Sequence, residues 1–579
     1  MTIFCLQCVR RVATSAAVVL LPVLYVEAQT AAVHDGQAYE HSDTRELVAL
    51  VERAANLVRI DEEAAFTEFR VTGSRWRQGD RYIFVLDPDG NMLVHPDPAM
   101  EGRNVIALKD VNGRPIIRGL ISAATTLRDK PEGWYHYQWP VPGEILPRWK
   151  SSYVKLVAAP SGKRYVVGSG VYNDRMERTF VVDTVKDAIG RIERDGKAAF
   201  PILRDRTGPF IAKDAYVFVL DMNGVDLVNP AFPNLEGRNI LDVKDTHGKL
   251  LVREMLNVAQ TRGSGWVDYM WPKPGDSVST QKSTYVSTAR IGGESVLVGC
   301  GVYLAEAPTA APPKATLTAA ELTTLVREGA AVLETHGEEA YAQFRKEGSK
   351  WFRDDTYFFV WTMGGTRVFH AADPEGEGQD VSGLKDILGR PIGRMILEVG
   401  TSPSGEGWVH YMYPEPGDIF PAWKSTFLKR VTFPSGQKFV LGSGIYNMKM
   451  DKAFVEDVVN RAAALVAERG PDTFRELRDK TGPFVFMDTY VFVDAPDGTE
   501  LVNAGQPSLE GQNLRGLRDA KGKALTDEYI DAAMTKGSAW VDYYWYKPGD
   551  NTPARKQAYV RKVQSGDTTY IVGSGIYVD

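Results

Sequence analysis

Four times along this chain a tryptophan opens the pattern Trp-x-[His/Asp]-Tyr, a lysine follows, and the segment closes on Gly-[Ser/Cys]-Gly-[Val/Ile]-Tyr. The copies begin at Trp134, Trp266, Trp408 and Trp540 and close at Tyr172, Tyr303, Tyr446 and Tyr577. Their spacing of roughly 130 residues is the size of one small domain, so a single module has been copied until it fills the chain. What the protein does is therefore what one module does, multiplied and diversified. The copies also serve as an internal comparison of which positions are fixed and which vary.

Residues 1–28 read as a secretory signal. Arg10 and Arg11 precede a mostly apolar run from Val12 to Leu24, and Val26-Glu27-Ala28 fits a small-x-small cleavage site. The apolar run is too short for a membrane span, and nothing after residue 28 approaches one. Cleavage removes Cys5 and Cys8, which leaves Cys300 with no cysteine to pair with, so packing rather than disulfides must hold the domains. A formal net charge of −6 argues against a nucleic-acid partner. The expected product is soluble, periplasmic or secreted, and not membrane-spanning once the signal is cleaved.

Each copy reads in the same order. An amphipathic helix comes first, over Leu47 to Phe69, Phe180 to Leu203, Leu322 to Phe344 and Phe454 to Leu477, with apolar residues at three- and four-residue steps. A strand follows (Tyr82 to Val85 in the first copy), then a glycine turn at Gly90, Gly224, Gly365 or Gly498 and a returning strand, the pattern of a hairpin. After a loop, Lys/Arg-Asp-x-x-Gly leads into a short helix, and three further strands end the module. The expected fold class is α+β, a helix plus a mostly antiparallel sheet.

The copies fall into two types. The second and fourth share Arg-Asp-[Arg/Lys]-Thr-Gly-Pro-Phe (Arg204 to Phe210, Arg478 to Phe484), whereas the first and third share Pro-x-Trp-Lys-Ser (Pro147 to Ser151, Pro421 to Ser425). The order is a duplicated pair: module A over 40–175, B over 176–306, a Pro/Ala-rich linker over 307–317, A′ over 318–448 and B′ over 449–579. Within a pair, Tyr172 runs almost directly into the next helix, which predicts a rigid two-module unit.

The recurring strand–hairpin–helix–strand order, the His-Pro after the first hairpin and the Trp…Tyr…Lys…Gly-Ser-Gly-Val-Tyr ending resemble the Cache domain. The similarity is greatest to the single-Cache type 2 sensors of bacterial chemoreceptors and histidine kinases, and it covers nearly all of residues 45–579. The resemblance implies PAS-like modules that bind small molecules, often short carboxylates or amino acids, in chemotaxis and other signal transduction. No kinase or signalling region accompanies the modules, so output would pass through a partner such as a membrane receptor or kinase.

A lysine stands eleven residues after an aromatic in every copy: Trp139/Lys150, Trp271/Lys282, Tyr413/Lys424 and Trp545/Lys556. Three residues on comes a further ring at Tyr153, Tyr285, Phe427 and Tyr559. An ammonium among rings suits a small organic anion, because excluding water strengthens charge and hydrogen bonds alike. The other reading lays the lysine along the sheet surface with its head in solvent. Strand alternation puts Tyr137 and Trp139 on one face and Trp134 and His136 on the other, without saying which face is the pocket. The family resemblance places Tyr137, Tyr269, Tyr411 and Tyr543 near it.

Two positions switch with module type. After the hairpin stands His95 or His370 in the A modules and Asn229 or Asn503 in the B modules; on the later strand stands His136 or His410 in A and Asp268 or Asp542 in B. These switches suggest a plain carboxylate in A and a polar or amino-bearing ligand in B. The alternative is that His95 and Asn229 close a turn. No catalytic constellation, metal set or cofactor motif emerges, so a binding protein is expected rather than an enzyme. An interaction scaffold with non-functional pockets is the competing expectation, and the replacements at Tyr413 and Phe427 would suit it.

Overall fold

The computed structural model describes residues 33–578 apart from 35–36, 126–129, 142–145, 173–175, 277–278, 305–316, 354, 417–420 and 551. The signal segment and nearly all of the linker expected over 307–317 lie outside the described residues.

Module A shows the plan. Helices α1 (Ser42–Asp61) and α2 (Ala64–Arg70) come first, then the main-sheet strands β1 (Phe84–Leu86) and β2 (Met92–Val94). Helix α3 (Ile116–Thr125) precedes β3 (Glu132–Pro140), β4 (Pro147–Ala158) and β5 (Arg164–Tyr172). The sheet is antiparallel throughout, in the order β2-β1-β5-β4-β3. The same order recurs over 218–303, 356–446 and 492–577, the third copy carrying an additional two-residue strand, Phe352–Arg353.

Each sheet is covered on both faces, which is why its strands read as apolar runs rather than strict alternation. On one face α1 buries Leu47, Val51 and Val58 against Trp134, Tyr165 and Val167. On the other, α3 buries Ile117, Leu120 and Ala124 against Phe84, Tyr137 and Val154. A Leu or Val so buried contributes about 1.5–3 kcal/mol.

The hairpin glycine is required by geometry. Gly90 has φ of 88°, and a Cβ there would lie 2.7 Å from the Ile106 side chain. The Asp of the Lys/Arg-Asp-x-x-Gly motif ties its loop to the sheet edge. Asp110 accepts from the Asn112 and Arg114 amides and, through its other oxygen, from Gln138 N–H at 3.0 Å. Asp245, Asp386 and Asp519 do the same for Met270, Met412 and Tyr544.

The long helix read from sequence is broken in every module. Gly196, Gly337 and Gly470 turn the chain at φ of 60°, 54° and 55°, and a 3-10 turn and a short helix follow. Apolar periodicity continues across the break, so it hides the break from a pattern search. In module A the equivalent residue is Glu62, at φ of 53°. A side chain at such φ costs roughly 1 kcal/mol or more relative to glycine. Glu62→Gly is therefore expected to raise stability by about 0.5–1 kcal/mol in denaturant unfolding, even though it removes the Glu62 contact with Ser161.

The two signatures that separate A from B meet at the interface within each pair. Arg114 of module A is 3% exposed and donates to the Gly208 carbonyl at 2.6 Å and to the Ile211 carbonyl, both of module B. Arg390 repeats this toward Gly482 at 3.1 Å. Trp149 and Trp423 of the Pro-x-Trp-Lys-Ser segments lie against these guanidinium groups, at 5.8 and 5.1 Å from the ring centres. The accepting glycines belong to the Thr-Gly-Pro-Phe loops found only in B and B′. Glu177, just ahead of the second module's helix, accepts from Glu40 and His41 N–H at the start of the first. The sequence alternation is thus the imprint of pairwise docking.

Candidate functional site

Strand register assembles the site. Lys150 on β4 is the cross-strand partner of Tyr137 on β3 and Tyr172 on β5, so all three share the face covered by α3. Lys282 lies between Tyr269 and Tyr303, Lys424 between Tyr411 and Tyr446, and Lys556 between Tyr543 and Tyr577. None of the four lysines is more than 1% exposed.

Each ammonium lies over at least two rings. Lys150 Nζ is 4.0 Å from the Tyr82 ring centre and 4.7 Å from that of Tyr172, and it donates to Tyr82 Oη at 2.8 Å. Lys282 sits 3.9 and 4.9 Å from Tyr216 and Tyr303, and its Nζ has no hydrogen-bond partner. Lys424 sits 3.8 and 4.5 Å from Tyr357 and Tyr446 and donates to Tyr446 Oη at 3.2 Å. Lys556 sits 4.1 and 5.1 Å from Tyr490 and Tyr577. Burial pulls Lys150, Lys282 and Lys424 each down to about 7.

The terminal Gly-[Ser/Cys]-Gly motif makes room for this arrangement. A Cβ on Gly170 would lie 2.5 Å from Lys150 Cε, and one on Gly301, Gly444 or Gly575 would lie 2.7, 2.9 or 2.7 Å from Cε of the lysine in its own module. The second glycine is therefore the floor on which the lysine stem rests. Ser169 between the glycines donates to the Tyr82 carbonyl at 2.7 Å and fixes that ring, as Ser443 and Ser574 do for Tyr357 and Tyr490.

The other residues expected at the site divide between the two faces. Trp139 and His95 close the ring wall in module A, with His95 5.3 Å from Tyr82 and 6.0 Å from Trp139. His95 also closes a turn, its Nδ1 accepting from Asp97 N–H at 3.1 Å. Burial, then the Lys150 charge, lowers it to about 4, so it is neutral at physiological pH. His370 tilts over Tyr357 at 4.8 Å and is lowered to about 3 by burial and then by Lys424. Tyr413 stands 5.8 Å from Lys424, and Trp271 and Trp545 lie beside Tyr269 and Tyr543 on the α3 face. The hydroxyls of Tyr137, Tyr269 and Tyr411 are tied to Ser152, Thr284 and Thr426, which leaves mainly their rings to line the site.

Tyr153, Tyr285, Phe427 and Tyr559 do not belong there. An offset of three residues along a strand reverses the face, and these rings pack on the α1 side against Trp134, Trp266, Trp408 and Trp540 at 5.2–5.5 Å. Tyr153→Phe is accordingly expected to leave ligand affinity unchanged and to cost about 1–2 kcal/mol through its bonds to Glu52 and Glu132.

The later-strand switch is also on the α1 side. His136 and His410 lie 5.0 and 4.7 Å from Phe180 and Phe454, the rings that open the next module's helix. In B and B′ that position is more open, and Asp268 and Asp542 bond to Ser283 and to Arg555 and Gln557. That switch records docking and makes no contact with the lysine face.

Sequence reasoning missed the tyrosines that flank each lysine, Tyr82/Tyr172, Tyr216/Tyr303, Tyr357/Tyr446 and Tyr490/Tyr577, although their fourfold recurrence was the available signal. It also missed a charged residue on the hairpin's second strand. Asp226 and Glu500, 0% and 2% exposed, accept from Asn229 and Asn503 Nδ2 at 2.8 and 2.9 Å. Asn229 and Asn503 also close a turn through their Oδ1 atoms. Burial raises Asp226 to about 7 and Glu500 well above the usual carboxylate range, the latter beside Asp494. The signal for these was a charge inside an apolar strand.

Asp226 and Glu500 open onto hollows between α3's counterparts and the sheet. Each holds about 300 Å³ of space between atoms, part of it open to solvent.

The family model for Single Cache domain 2 matches residues 188–312 and 327–460, and the Cache domain model dCache_2 matches 69–194 and 476–579. The chain belongs to the Cache family, as a tandem array of Cache domains. It is 31% identical over 91 residues to methyl-accepting chemotaxis protein McpP of Pseudomonas putida, covering 16% of each chain. It is 34% identical over 92 residues to sensor histidine kinase MctS of Rhizobium johnstonii, covering 16% of this chain and 19% of the kinase. The chain thus spans less than a fifth of either relative. A solved structure described as a Cache chemosensory domain that recognises carboxylic acid is 29% identical, with a TM-score of 0.19, covering 22% of this chain and 91% of the other. Among the described residues no helix is long and apolar enough to cross a membrane.

Proposed function

We propose that the chain is an exported sensor or ligand-presenting array that takes small organic carboxylates at its buried lysines and passes occupancy to a separate membrane receptor or kinase. The observation that carries this reading is the fourfold buried ammonium between two tyrosine rings. A buried cation costs several kcal/mol unless a counter-charge meets it. At Lys282 no side chain of the module bonds to Nζ. A carboxylate is the smallest organic group that supplies both the charge and the acceptor. The named roles of the two relatives, chemotaxis protein and sensor kinase, support a sensory use. The scaffold reading loses its main support, since Phe427 lies on the other face and Tyr413 still stands beside Lys424.

Thermal unfolding against a panel of short carboxylates and amino acids tests the reading. A ligand at a hundred times its Kd should stabilise its module by about 2.7 kcal/mol, a shift of several degrees. The shift should vanish for the module whose lysine is replaced by methionine. A flat response across the panel, with a protein partner captured instead, would return the scaffold reading.

A further inference from the structure

One position of the hairpin differs in charge between modules while its backbone does not. Met92, Asp226, Arg367 and Glu500 each pair with the residue six earlier at the bulge, Leu86, Leu220, Trp361 and Asp494. Each also donates its amide to an equivalent carbonyl, that of Arg103, Arg238, Gln379 or Gln512, at 2.9–3.0 Å. All four are buried, at 3%, 0%, 7% and 2% exposed. One site in the fold therefore holds an apolar, acidic or basic group beside the same lysine-and-tyrosine wall.

In B′ the acid lies in the lysine's own compartment. Glu500 and Lys556 line one hollow, together with Tyr490, Tyr543 and Asn503. Asp226 lines the corresponding hollow with Tyr216, the ring beneath Lys282. In module B the Lys282 Nζ donor and Asp226 Oδ1 are both buried without a hydrogen-bond partner. A single carboxylate could satisfy the lysine but would bring a second negative charge toward Asp226. An occupant that accepts at one end and donates at the other matches both. In module A the position is Met92, packed among the α3-face apolar groups, so only the lysine charge remains. In A′ the Arg367 guanidinium is already held by Asp373 at 3.0 Å and by the Gly376 carbonyl at 2.9 Å, so it adds no free charge to the site.

Resting on the lysine sites proposed above, we infer that the residue at 92, 226, 367 and 500 selects ligand charge: B and B′ take a small molecule carrying both a carboxylate and an ammonium, whereas A and A′ take a plain carboxylate. Asn229 holds one Asp226 oxygen and leaves Oδ1 for the ligand's ammonium, whereas in B′ Asn503 holds one Glu500 oxygen and the Asp494 carboxyl shares the acid site.

Equilibrium dialysis of the full chain with labelled propionate and labelled alanine (the L and β isomers) tests this. Two propionate sites and two alanine sites per chain are expected. Asp226→Asn with Glu500→Gln, a nearly isosteric pair whose folding is checked by melting, should weaken alanine at least tenfold and leave the two original propionate sites intact. Lys150→Met with Lys424→Met should remove propionate and leave alanine. Alanine binding that needs Lys282 and Lys556 yet ignores the Asp226 and Glu500 changes would overturn the selector and leave the lysine sites standing. Equal propionate binding at all four sites would do the same. Failure of both probes to bind the unaltered chain, or binding indifferent to every lysine replacement, would overturn the lysine sites themselves and the selector with them.

Discussion

Propionate affinity at modules A and A′ is expected to be level below about pH 7 and to fall about tenfold per pH unit above it. The cause is the burial of Lys150 and Lys424, each pulled down to about 7 with no carboxylate bonded to it. An anion binds the charged form of the lysine, so above pH 7 each binding event must also take up a proton. Isothermal titration at pH 8 in buffers of different ionisation enthalpy should show nearly one proton taken up per propionate, and at pH 6 almost none. Affinity that stays level to pH 9 would mean that the lysine charge is not what meets the ligand.

The same shift has a stability consequence of the opposite sense. In the unfolded chain the lysines stay protonated to about pH 10.4. Between pH 7 and that value the unfolded state holds the extra proton and the ligand-free folded state does not, so stability rises with pH across the window. Module B adds a contrary effect. Asp226, raised to about 7, keeps its proton in the folded state after the unfolded state has lost it, so stability falls as pH rises from about 4 to 7. The ligand-free module B should therefore pass through a stability minimum near neutrality, where an occupant with both charges stabilises it most.

How much of this was legible in the sequence depends on what periodicity reports. The fourfold motif gave the modules, the hairpin glycine and the lysine, because each is fixed by backbone geometry that all copies share. Strand alternation already held the face of Tyr153: an odd offset from Lys150 places it on the opposite side, whatever the family. What alternation does not hold is which covering helix forms the pocket, since both faces of the sheet are apolar. Tyr82 and Tyr172 were present as repeat landmarks, yet their meeting over Lys150 depends on β1, β4 and β5 becoming neighbours, a long-range pairing. The A/B alternation was visible as well, but a switch at His136 that follows docking looks the same in sequence as one that follows ligand. On the lysine face the charge changes at 92, 226, 367 and 500 and, in B′, at the bulge partner as well, where Asp494 replaces Leu86, Leu220 and Trp361.

Replacing Arg390 with lysine is expected to undock A′ from B′, and module B supplies the argument. At the equivalent positions B and B′ carry Lys249 and Lys523, whose ammonium groups donate to the Asp268 and Asp542 carbonyls of their own modules. Arg390 has the reach to address two carbonyls at once through Nη1, His410 within its module at 3.4 Å and Gly482 across the interface at 3.1 Å. A lysine there has one compact charge, and the carbonyl of its own module takes it. The Gly482 carbonyl then loses its buried donor, and the Trp423 face loses the planar cation it stacks on. An orphaned buried acceptor costs about 1–3 kcal/mol, and the lost packing adds to it, so about 3 kcal/mol of coupling is at stake. Calorimetry should show one transition of the unaltered chain dividing, with A′ and B′ melting apart, while propionate binding at A′ persists because Lys424 lies on the other face of the sheet. A single unchanged transition in Arg390→Lys would show that the pair is held by its apolar contacts, His410 on Phe486 at 4.0 Å and Trp408 on Phe454 at 4.6 Å, with the guanidinium a bystander.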